Sequence, residues 1–565
     1  MLGVARAGVL LITAFLAVAP SGSRLFAGDA PAADAQAQAK QTIMVPMTDK
    51  TRLATDVFLP SGPGTFPCIL IRTPYGREAI GGMGKDGANR GYVIVAQDTR
   101  GRFGSEGVNL PFASDGWDGA QDGVDTVAWI LSQPWSNGKI GTFGGSALGI
   151  TQLHLAGAGK GGVAAQHITV GAPNLYADTV YPGGVFKKAM VEDWLRVSKF
   201  ATNALTIWTS HPVHDAYWEK RELDKRYNLV QSPAVHIGGW YDIFCQGTID
   251  AFRGYQYEGG KGARGKQRLI IGPWTHGVFQ DKAGDLKFPD GKKPPFGTHD
   301  AWRWFDFALR GATNGYANDP VVQYYTMGDV TDAKAPGNCW RSASAWPPFE
   351  TKPVRFYPHA DGGLKVEKPS GSGQLEYSYD PAKPAPTIGG PQLTLPAGAM
   401  DQRSLEARSD VLTFVSPPLA QPFEITGRVL AKLQASSDGP DTDFFVKLCD
   451  TYPDGRTYNI CEGQLRARFR GGLTKEVLLK PGKAASFTVD LGSTSIILNK
   501  GHRLKLLVTS SSAPGFDPNP NTGEAFRSSS RQRIARNTLF FGGKATCSIE
   551  LPCPMDGPTA PFAKP

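Results

Sequence analysis

Short apolar segments with an amphipathic helix among them constrain the fold of this chain more than any other feature. Segments 68–71, 92–96 and 139–143 have the length and hydrophobicity of buried strands. Between the last two, apolar residues recur at helical spacing from 120 to 131, and Pro134 ends that pattern. Because strand and helix alternate, the sequence predicts an α/β fold with a parallel sheet covered on both faces.

The pattern changes along the chain, whose 565 residues are too many for one hydrophobic core. The strand-and-helix pattern occupies residues 43–173 and resumes at 231–350, where 301–309 is a predicted helix with Gly311 as its cap. Residues 174–230 are helical and aromatic in character, which suits an inserted cap. Residues 351–565 carry alternating strands such as 424–433 and 443–448, which predict a β-sandwich or jelly roll.

The N-terminus, residues 1–27, has the composition of a secretory signal peptide. Arg6 precedes an apolar run at 9–19, and small residues follow as a cleavage zone. Because the run is short for a transmembrane span, we expect an exported protein, periplasmic or extracellular, with an uncleaved anchor as the alternative. Residues 28–42, rich in Ala and Gln, are predicted to be a disordered start of the mature chain.

Charge and hydrophobicity exclude several classes of partner. The net charge of +9 is spread thinly, without the basic tract or face that nucleic acids require. No segment after the signal region is long and apolar enough to span a membrane, so stable membrane association after signal cleavage is not expected. The sequence leaves a homo-oligomer open.

Cysteines and histidines do not predict a metal site. The seven cysteines of an exported protein permit disulfides, and Cys449 and Cys461 flank a turn across which they could pair. His211 and His214 have zinc-like spacing, but no third ligand is evident. We therefore expect neither a metal nor another cofactor.

Reactive side chains follow predicted strands at the points where those strands end. In open α/β sheets, ligands bind outside the carboxyl ends of the strands. The corresponding loops read RTPYG (72–76), QDTRG (97–101), GSA (145–147), GWYD (239–242) and GPWTHG (272–277). Ser146, Asp242 and His276 occur in the order of an α/β-hydrolase catalytic triad. Asp98 and Arg100 are expected to form a structural pair that braces these loops.

Such a triad would convert the Ser146 hydroxyl into a nucleophile. A serine hydroxyl attacks an acyl carbon poorly unless a base takes its proton. His276 would be that base, and Asp242 would hold the imidazole in its tautomer and stabilise the imidazolium. The Ala147 amide and the Tyr75 hydroxyl are the candidate donors of an oxyanion hole, and simple aromatic packing is the alternative role for Tyr75.

Several segments together resemble the cocaine esterase-like (CocE/NonD) serine hydrolases, a family related to α-amino-acid ester hydrolases, cephalosporin acylases and Xaa-Pro dipeptidyl peptidases. They are RTPYGR (72–77), VAQDTRGRFGSEG (95–107), GGSALGITQ (144–152), GGWYDIF (238–244), IGPWTHG (271–277), GAMDQRSLEARSDVL (398–412) and NPNTGE (519–524). The resemblance covers nearly everything after the signal region. It implies an α/β-hydrolase domain with an inserted helical cap, a C-terminal β jelly-roll domain and no cofactor.

The same resemblance implies roles for individual residues. Ser146, Asp242 and His276 match the family's triad, and Tyr75 with the Ala147 amide matches its oxyanion hole. The family's nucleophile elbow, Gly-x-Ser-x-x-Gly, fits GGSALG at 144–149. Relatives usually carry Tyr directly after the serine, where this chain has Ala147. A backbone donor survives this change, but the side chain that shapes the pocket mouth is lost, so the change bears on substrate specificity and not on the chemistry.

Residues near the triad aspartate favour an apolar acyl pocket, formed by Trp240, Phe244 and Trp274. Relatives that select an α-ammonium group place two carboxylates just after that aspartate, whereas Ile243 and Phe244 follow here and Asp178 could supply only one. We therefore expect a serine hydrolase that cleaves carboxylic esters through an acyl-enzyme intermediate. An amide-cleaving acylase or Xaa-Pro dipeptidyl peptidase is the first alternative. A surface- or carbohydrate-binding protein with an inactive hydrolase domain is the second.

Overall fold

The computed structural model describes residues 40–543, 546–558 and 561–562. The predicted signal peptide lies outside these residues, as does most of the segment predicted to be disordered. Gln41 and Thr42, at the end of that segment, belong instead to the first strand. None of the helices in the described ranges combines the length and hydrophobicity that a membrane span needs.

A mixed sheet of ten strands forms the centre of the first part of the chain, with the order β1-β2-β4-β3-β5-β6-β7-β8-β11-β12. Strands β4 to β11 in this order run parallel, and antiparallel strands flank them at both edges. The strands up to residue 343 are β1 Gln41–Pro46, β2 Arg52–Phe58, β3 Phe66–Thr73, β4 Val93–Asp98, β5 Ser136–Gly145, β6 Val163–Thr169, β7 Ala234–Gly239, β8 Arg268–Gly272, β9 Lys282–Ala283, β10 Leu286–Lys287, β11 Val322–Thr326 and β12 Cys339–Ala343.

Helices connect these strands and cover the sheet. They are α1 Gly81–Asn89, α2 Asp122–Leu131, α3 Ala147–Gly157, α7 Cys245–Arg253 and α8 Ala301–Arg310, with α4 to α6 in the cap, and short 3₁₀ or π turns at Arg77–Ile80, Gly254–Glu258 and Tyr316–Asn318. Gly311 caps α8 with φ 72°, the left-handed conformation that ends many helices at glycine. Apolar residues of the sheet and of α8 are buried together, including Ile71, Ile94 and Phe305.

The segment between β6 and β7 forms the cap and contains no regular strand among its described residues. Its helices are short: α4 Lys188–Val197, α5 Ala204–Thr209, α6 Ala216–Glu219, a π turn at Leu175–Val180 and 3₁₀ turns at Pro182–Gly184 and Tyr227–Leu229. Aromatic residues, among them Tyr176, Trp208 and Trp218, are fully buried here. The cap is therefore held by its own aromatic core.

Two β-sheets make up the chain beyond residue 350. Their strands are β13 Thr351–Pro358, β14 Leu364–Lys365, β15 Gly373–Tyr379, β16 Leu412–Val415, β17 Phe423–Ser437, β18 Asp443–Thr451, β19 Thr457–Arg466, β20 Ala485–Leu498, β21 Arg503–Thr509, β22 Ala535–Phe541 and β23 Ser548–Pro554, with α9 Arg403–Glu406 and a 3₁₀ turn at Ala467–Phe469. One sheet has seven strands around β17, and the other has four, in the order β16-β21-β18-β19. These two sheets share a hydrophobic core with the hydrolase sheet. This core contains both Tyr325 of β11 and Val446 of β18.

The α/β-hydrolase sheet, the helical cap and the β-rich C-terminal region confirm the predicted fold class. The cysteines do not form the disulfides that the sequence permits, because all seven are free thiols. A β-bulge after Leu448 shifts the register between β18 and β19, so Cys449 faces Asn459 and Cys461 faces Leu448. The two thiols therefore do not lie directly opposite one another, and the structure contains no disulfide at this turn.

Candidate active site

Ser146 occupies a sharp turn between strand β5 and helix α3. Its φ and ψ are 57° and −123°, a conformation that is unusual for a residue with a side chain, and its N–H donates to the carbonyl of Thr169 at 3.0 Å. Gly144 has φ 145°, and a Cβ there would lie 2.5 Å from the Cβ of Leu148. The glycine at this position therefore allows the helix to close over the turn. The result is an elbow that presents the serine side chain at the carboxyl edge of the sheet.

Asp242, His276 and Ser146 form one hydrogen-bonded chain. Nε2 of His276 lies 2.9 Å from Oγ of Ser146, and Nδ1 lies 2.6 Å from Oδ1 of Asp242. The histidine and the aspartate are only 3% and 2% exposed, whereas Ser146 is partly accessible. In this geometry the imidazole can take a proton from the hydroxyl while the carboxylate stabilises the resulting imidazolium.

Backbone hydrogen bonds hold the two loops that carry the aspartate and the histidine. The N–H of Trp240 donates to the carbonyl of Gly272 at 2.9 Å, and the N–H of Tyr241 donates to the carbonyl of Trp274, also at 2.9 Å. These contacts extend the pairing of β7 and β8 beyond the ends of the strands. The relative position of the two side chains is thus fixed by main-chain contacts.

Tyr75 and Ala147 lie where donors to an oxyanion would be needed. The hydroxyl of Tyr75 interacts with that of Ser146, and it accepts a hydrogen bond from Nε1 of Trp194 at 2.8 Å. Burial raises the pKa of Tyr75 to about 12, so the phenol keeps its proton at neutral pH. The Ala147 amide is the first N–H of α3, a position without an acceptor inside the helix.

Of the three predicted pocket residues, only Phe244 lies beside the triad. Its ring meets the imidazole of His276 edge-on with 5.5 Å between ring centres, and it shares a hydrophobic cluster with Ala147 and Tyr75. Trp240 instead packs on Trp346 and donates its indole N–H to the carbonyl of Tyr325. This placement corrects the expectation for Trp240, because the side chain points into the core shared with the C-terminal domain.

Trp274 also lies away from the pocket. Its side chain is fully buried against Phe279 and Trp340, and its indole N–H donates to the carbonyl of Gly291 at 2.9 Å. The sequence predicted the correct loop but the wrong orientation of the side chain. The backbone carbonyl of Trp274 accepts the N–H of Tyr241, whereas its indole belongs to the core of the sheet.

Asp178 lies near two further carboxylates, those of Asp224 and Asp250, whereas the sequence indicated one alone. It lies in the π turn of the cap with an oxygen that accepts the N–H of Asn174 at 3.0 Å. Burial and the carboxylates of Asp224 and Asp250 raise the pKa of Asp178 well above its usual range. Its protonated form is thereby favoured, which weakens any attraction to a cation.

The remaining predicted polar residues are structural in this fold. Asp98 and Arg100 do not pair with each other, contrary to expectation: Asp98 accepts from the N–H of Arg77 at 2.6 Å, while Arg100 binds Asp122 and Asp49. These ion pairs nevertheless lie next to the loops that follow β3 and β4.

His154, His167 and His236 are buried in and beside the hydrolase sheet. Burial lowers the pKa of His154 and of His236 to about 3 and that of His167 to about 4, which favours their neutral forms. His211 lies 2.7 Å from a carboxylate oxygen of Asp215 rather than in a ligand cluster. Within the described ranges, no group of three or more His, Cys, Asp and Glu side chains could hold a metal ion.

Two residues at the site were not predicted from the sequence. Trp194, on cap helix α4, contacts the Tyr75 hydroxyl, and Arg102 binds the carbonyl of Pro74 beside it. The aromatic composition of the cap was the only available signal for Trp194. This composition does not reveal which aromatic side chain contacts the Tyr75 hydroxyl, 119 positions away in the sequence.

Two family models match the chain. The model described as X-Pro dipeptidyl-peptidase (S15 family) matches residues 49–206 and 192–278, which include Ser146, Asp242 and His276. The model described as X-Pro dipeptidyl-peptidase C-terminal non-catalytic domain matches residues 314–550. The two matches together cover most of the hydrolase sheet, the whole cap and most of the β-rich region.

Individual proteins are similar over most of their length. The cocaine esterase of Rhodococcus sp. (strain MB1 Bresler) is 31% identical over 579 aligned residues, which cover 90% of this chain and 97% of that protein. The structure of an α-amino acid ester hydrolase labelled with selenomethionine is 25% identical, with a TM-score of 0.77, and the match covers 95% of this chain and all of the other. An aminopeptidase from a marine sediment archaeon, Thaumarchaeota archaeon, has the same fold, with a TM-score of 0.77, 24% identity and 94% and 99% of the two chains covered.

Proposed function

The chain belongs to the cocaine esterase-like (CocE/NonD) family of serine hydrolases, and from this premise we propose that it cleaves carboxylic esters of small molecules through an acyl-enzyme intermediate. The observation that carries the proposal is the hydrogen-bonded chain from Asp242 through His276 to Ser146. An activated serine with a base and an orienting carboxylate is suited to acyl transfer.

In the first half of the reaction, Oγ of Ser146 attacks the acyl carbon while Nε2 of His276 takes the hydroxyl proton. The carbonyl oxygen becomes an oxyanion and accepts hydrogen bonds from the Ala147 amide and the Tyr75 hydroxyl. The intermediate then collapses, the bond to the leaving alcohol breaks, and His276 returns its proton to that alcohol. Asp242 stays ionised throughout and stabilises the imidazolium.

In the second half, water replaces the alcohol. His276 takes a proton from the water as its oxygen attacks the acyl carbon, and the same two donors stabilise the second oxyanion. Collapse of this intermediate breaks the bond to Oγ of Ser146, which regains a proton from His276. The products are a carboxylic acid and the free enzyme.

An ester substrate with an apolar acyl group fits the surroundings of the triad better than a substrate with a free α-ammonium group. The ring of Phe244 lies against His276, and Ile243 is buried in the same hydrophobic cluster. Burial and the carboxylates of Asp224 and Asp250 raise the pKa of Asp178, which favours its neutral form. Amide cleavage is the second candidate, because both matching family models describe X-Pro dipeptidyl-peptidases.

Two measurements on the purified protein test the proposal. The value of kcat/KM for a 4-nitrophenyl alkyl ester should exceed that for an Xaa-Pro 4-nitroanilide by on the order of 100-fold; the reverse preference would establish the amidase instead. A fluorophosphonate probe should label the wild-type protein and not Ser146→Ala. No labelling of the wild type would favour the alternative of a binding protein with an inactive hydrolase domain.

We also propose that the protein is exported and that its C-terminal sheets form a jelly roll. Export is supported by Arg6 and the apolar run at 9–19, which together have the pattern of a signal peptide. N-terminal sequencing of protein recovered from expressing cells tests this. A mature chain that starts near residue 28 is expected, and an intact Met1 would contradict export by cleavage.

A further inference from the structure

In the hydrogen bond between Trp194 and Tyr75, only Trp194 can be the donor. An indole Nε1–H is a donor with no acceptor capacity, so at 2.8 Å the oxygen of the Tyr75 hydroxyl must be the acceptor. The single proton of that hydroxyl is therefore not used in this contact. The Tyr75 hydroxyl also interacts with that of Ser146. Trp194 thus turns the O–H of Tyr75 towards the nucleophile.

Aromatic neighbours hold the indole in place. The ring of Trp194 is stacked on Phe112, with 5.8 Å between ring centres and 8° between planes, and on Trp208, with 6.1 Å and 13°. Phe200 packs against it at 4.9 Å. Because Trp194 is only 9% exposed, a rotation of its side chain would require the surrounding rings to move. The direction of its N–H is consequently fixed by packing.

Arg102 ties the cap to the loop that carries Tyr75. Its Nε donates to the carbonyl of Pro74 at 2.8 Å, and its other nitrogens donate to the carbonyls of Lys199, at 2.8 Å, and Ser198. Ser198 and Lys199 directly follow the helix that contains Trp194. One buried guanidinium therefore sets the distance between the two partners of the hydrogen bond.

We propose that Trp194 is a positioning residue for ester hydrolysis, which acts by directing and polarising the hydroxyl of Tyr75. The inference rests on the proposed function, since it presumes that this hydroxyl donates to the oxyanion. As negative charge develops on the substrate oxygen, the Tyr75 proton is drawn towards it, and electron density on the phenol oxygen rises. The indole N–H then becomes a stronger partner for that oxygen, as in other chains of hydrogen bonds. The cap thereby contributes to the transition state without touching the substrate oxygen.

Trp194→Phe is the first test, because it keeps an aromatic ring in the stack and removes the N–H. On a 4-nitrophenyl ester we expect kcat to fall roughly 2- to 12-fold, the value of a hydrogen bond between neutral groups, with KM changed less than twofold. Trp194→His, which retains a ring N–H, should recover part of the loss. If the phenylalanine variant does not fold, Trp194→Met also lacks the donor and replaces it.

A double-mutant cycle with Tyr75→Phe separates positioning from a structural role. If Trp194 acts through the hydroxyl, Trp194→Phe should have no further effect on kcat when Tyr75 is already Phe. An equal loss of kcat in both backgrounds would overturn the inference. The cycle is evaluated on kcat, since the proposed interaction strengthens in the transition state.

Trp218→Phe is the matched control. Its indole is buried in the same hydrophobic cluster, but its Nε1–H donates to the carbonyl of His211 at 2.8 Å within the cap. We expect kcat to stay within twofold of the wild type, and a loss as large as that of Trp194→Phe would contradict a specific role. If Tyr75→Phe itself is fully active, the oxyanion assignment in the proposed function fails. If Tyr75→Phe is impaired while Trp194→Phe is not, only the present inference fails.

Discussion

Nε2 of His276 lies 2.9 Å from Oγ of Ser146, although 130 positions separate the two residues in the chain. They follow strands β8 and β5, whose carboxyl ends lie at the same edge because the strands between them run parallel. Asp242 follows β7, next to β8 in the sheet. The parallel topology thus brings together three side chains that no local segment could unite.

Ser146→Ala should abolish turnover if this serine is the nucleophile. Removal of the nucleophile from a triad typically lowers kcat by on the order of 10⁶, since base and carboxylate then have no hydroxyl to activate. Steady-state and single-turnover assays on a 4-nitrophenyl ester measure the effect. Ser132→Ala, at an exposed position after α2, is the control and should keep full activity. A Ser146→Ala enzyme within tenfold of the wild type would rule out the mechanism.

Tyr75→Phe should lower kcat by about 10²–10³ and change KM little, because an oxyanion donor acts mainly in the transition state. Burial raises the pKa of Tyr75 to about 12, so its phenol remains a donor across the usual assay range. The pH profiles of wild type and variant should therefore be parallel between pH 7 and 10. A fall in wild-type kcat within that range that is missing from the variant would contradict this assignment.

The sequence predicted much of the site because each reactive loop directly follows an apolar strand. The strands at 66–73, 93–98, 136–145, 234–239 and 268–272 are all observed. In a parallel sheet, the loops that follow these strands must meet at one edge, so the order of three residue types was enough to place Ser146, Asp242 and His276 together. The side chains of the loops were harder to predict, as Trp240 and Trp274 show. A shift of two residues along a turn decides whether a side chain lies in the pocket or in the core. Both places hold apolar side chains, so hydrophobicity does not distinguish them.

Strand β6, Val163–Thr169, gives a weak signal in the sequence because polar residues interrupt its apolar pattern. Gln166 is fully buried, donates to the carbonyl of Gln152 at 3.0 Å and accepts from the hydroxyl of Ser232 at 2.9 Å. His167 is buried next to it. The contacts of Gln166 satisfy its side chain within the fold, so its burial costs little. Such partners come from distant segments, and a pattern read along one strand contains no information about them.

Lys187 should make stability depend on pH. The side chain is 4% exposed, and burial lowers its pKa from the ordinary 10.5 to about 8, although the carboxylates of Asp242, Glu462 and Asp178 oppose this shift. Between these two pH values the unfolded chain binds a proton that the folded protein does not, so the contribution of this group to stability rises with pH and is smallest below pH 8. The difference between the two pKa values corresponds to on the order of 3 kcal/mol in the free energy of unfolding. Lys187→Met should therefore raise the free energy of unfolding at pH 7, and this stabilising effect should become progressively smaller towards pH 10.

Urea unfolding of the two proteins at pH 7, 8, 9 and 10 gives this difference directly, since the other titrating groups are shared. Lys188→Met is the matched control. Lys188 is the next residue, but its side chain is 35% exposed and pairs with Glu192 on the helix surface. Its substitution should change the free energy of unfolding by less than about 1 kcal/mol, the contribution of an exposed ion pair. A pH-independent difference between wild type and Lys187→Met would contradict the predicted depression of the pKa.

His502 lies between two buried carboxylates and should be a cation that joins the domains. Its ring nitrogens lie 2.8 Å from Asp450 and 3.1 Å from Asp329, which follows a strand of the hydrolase sheet. Burial opposes the positive charge, but the two carboxylates raise the pKa of His502 above 6.5. The contribution of His502 to the stability of the fold is therefore complete below about pH 6.5 and is lost as pH rises through the folded-state pKa. His502→Phe leaves both carboxylates unpaired and should lower the free energy of unfolding at pH 6 by about 3–5 kcal/mol. His359→Phe, at a partly exposed histidine, should cost little by the same urea titration, and equal effects of the two substitutions would refute this role for His502.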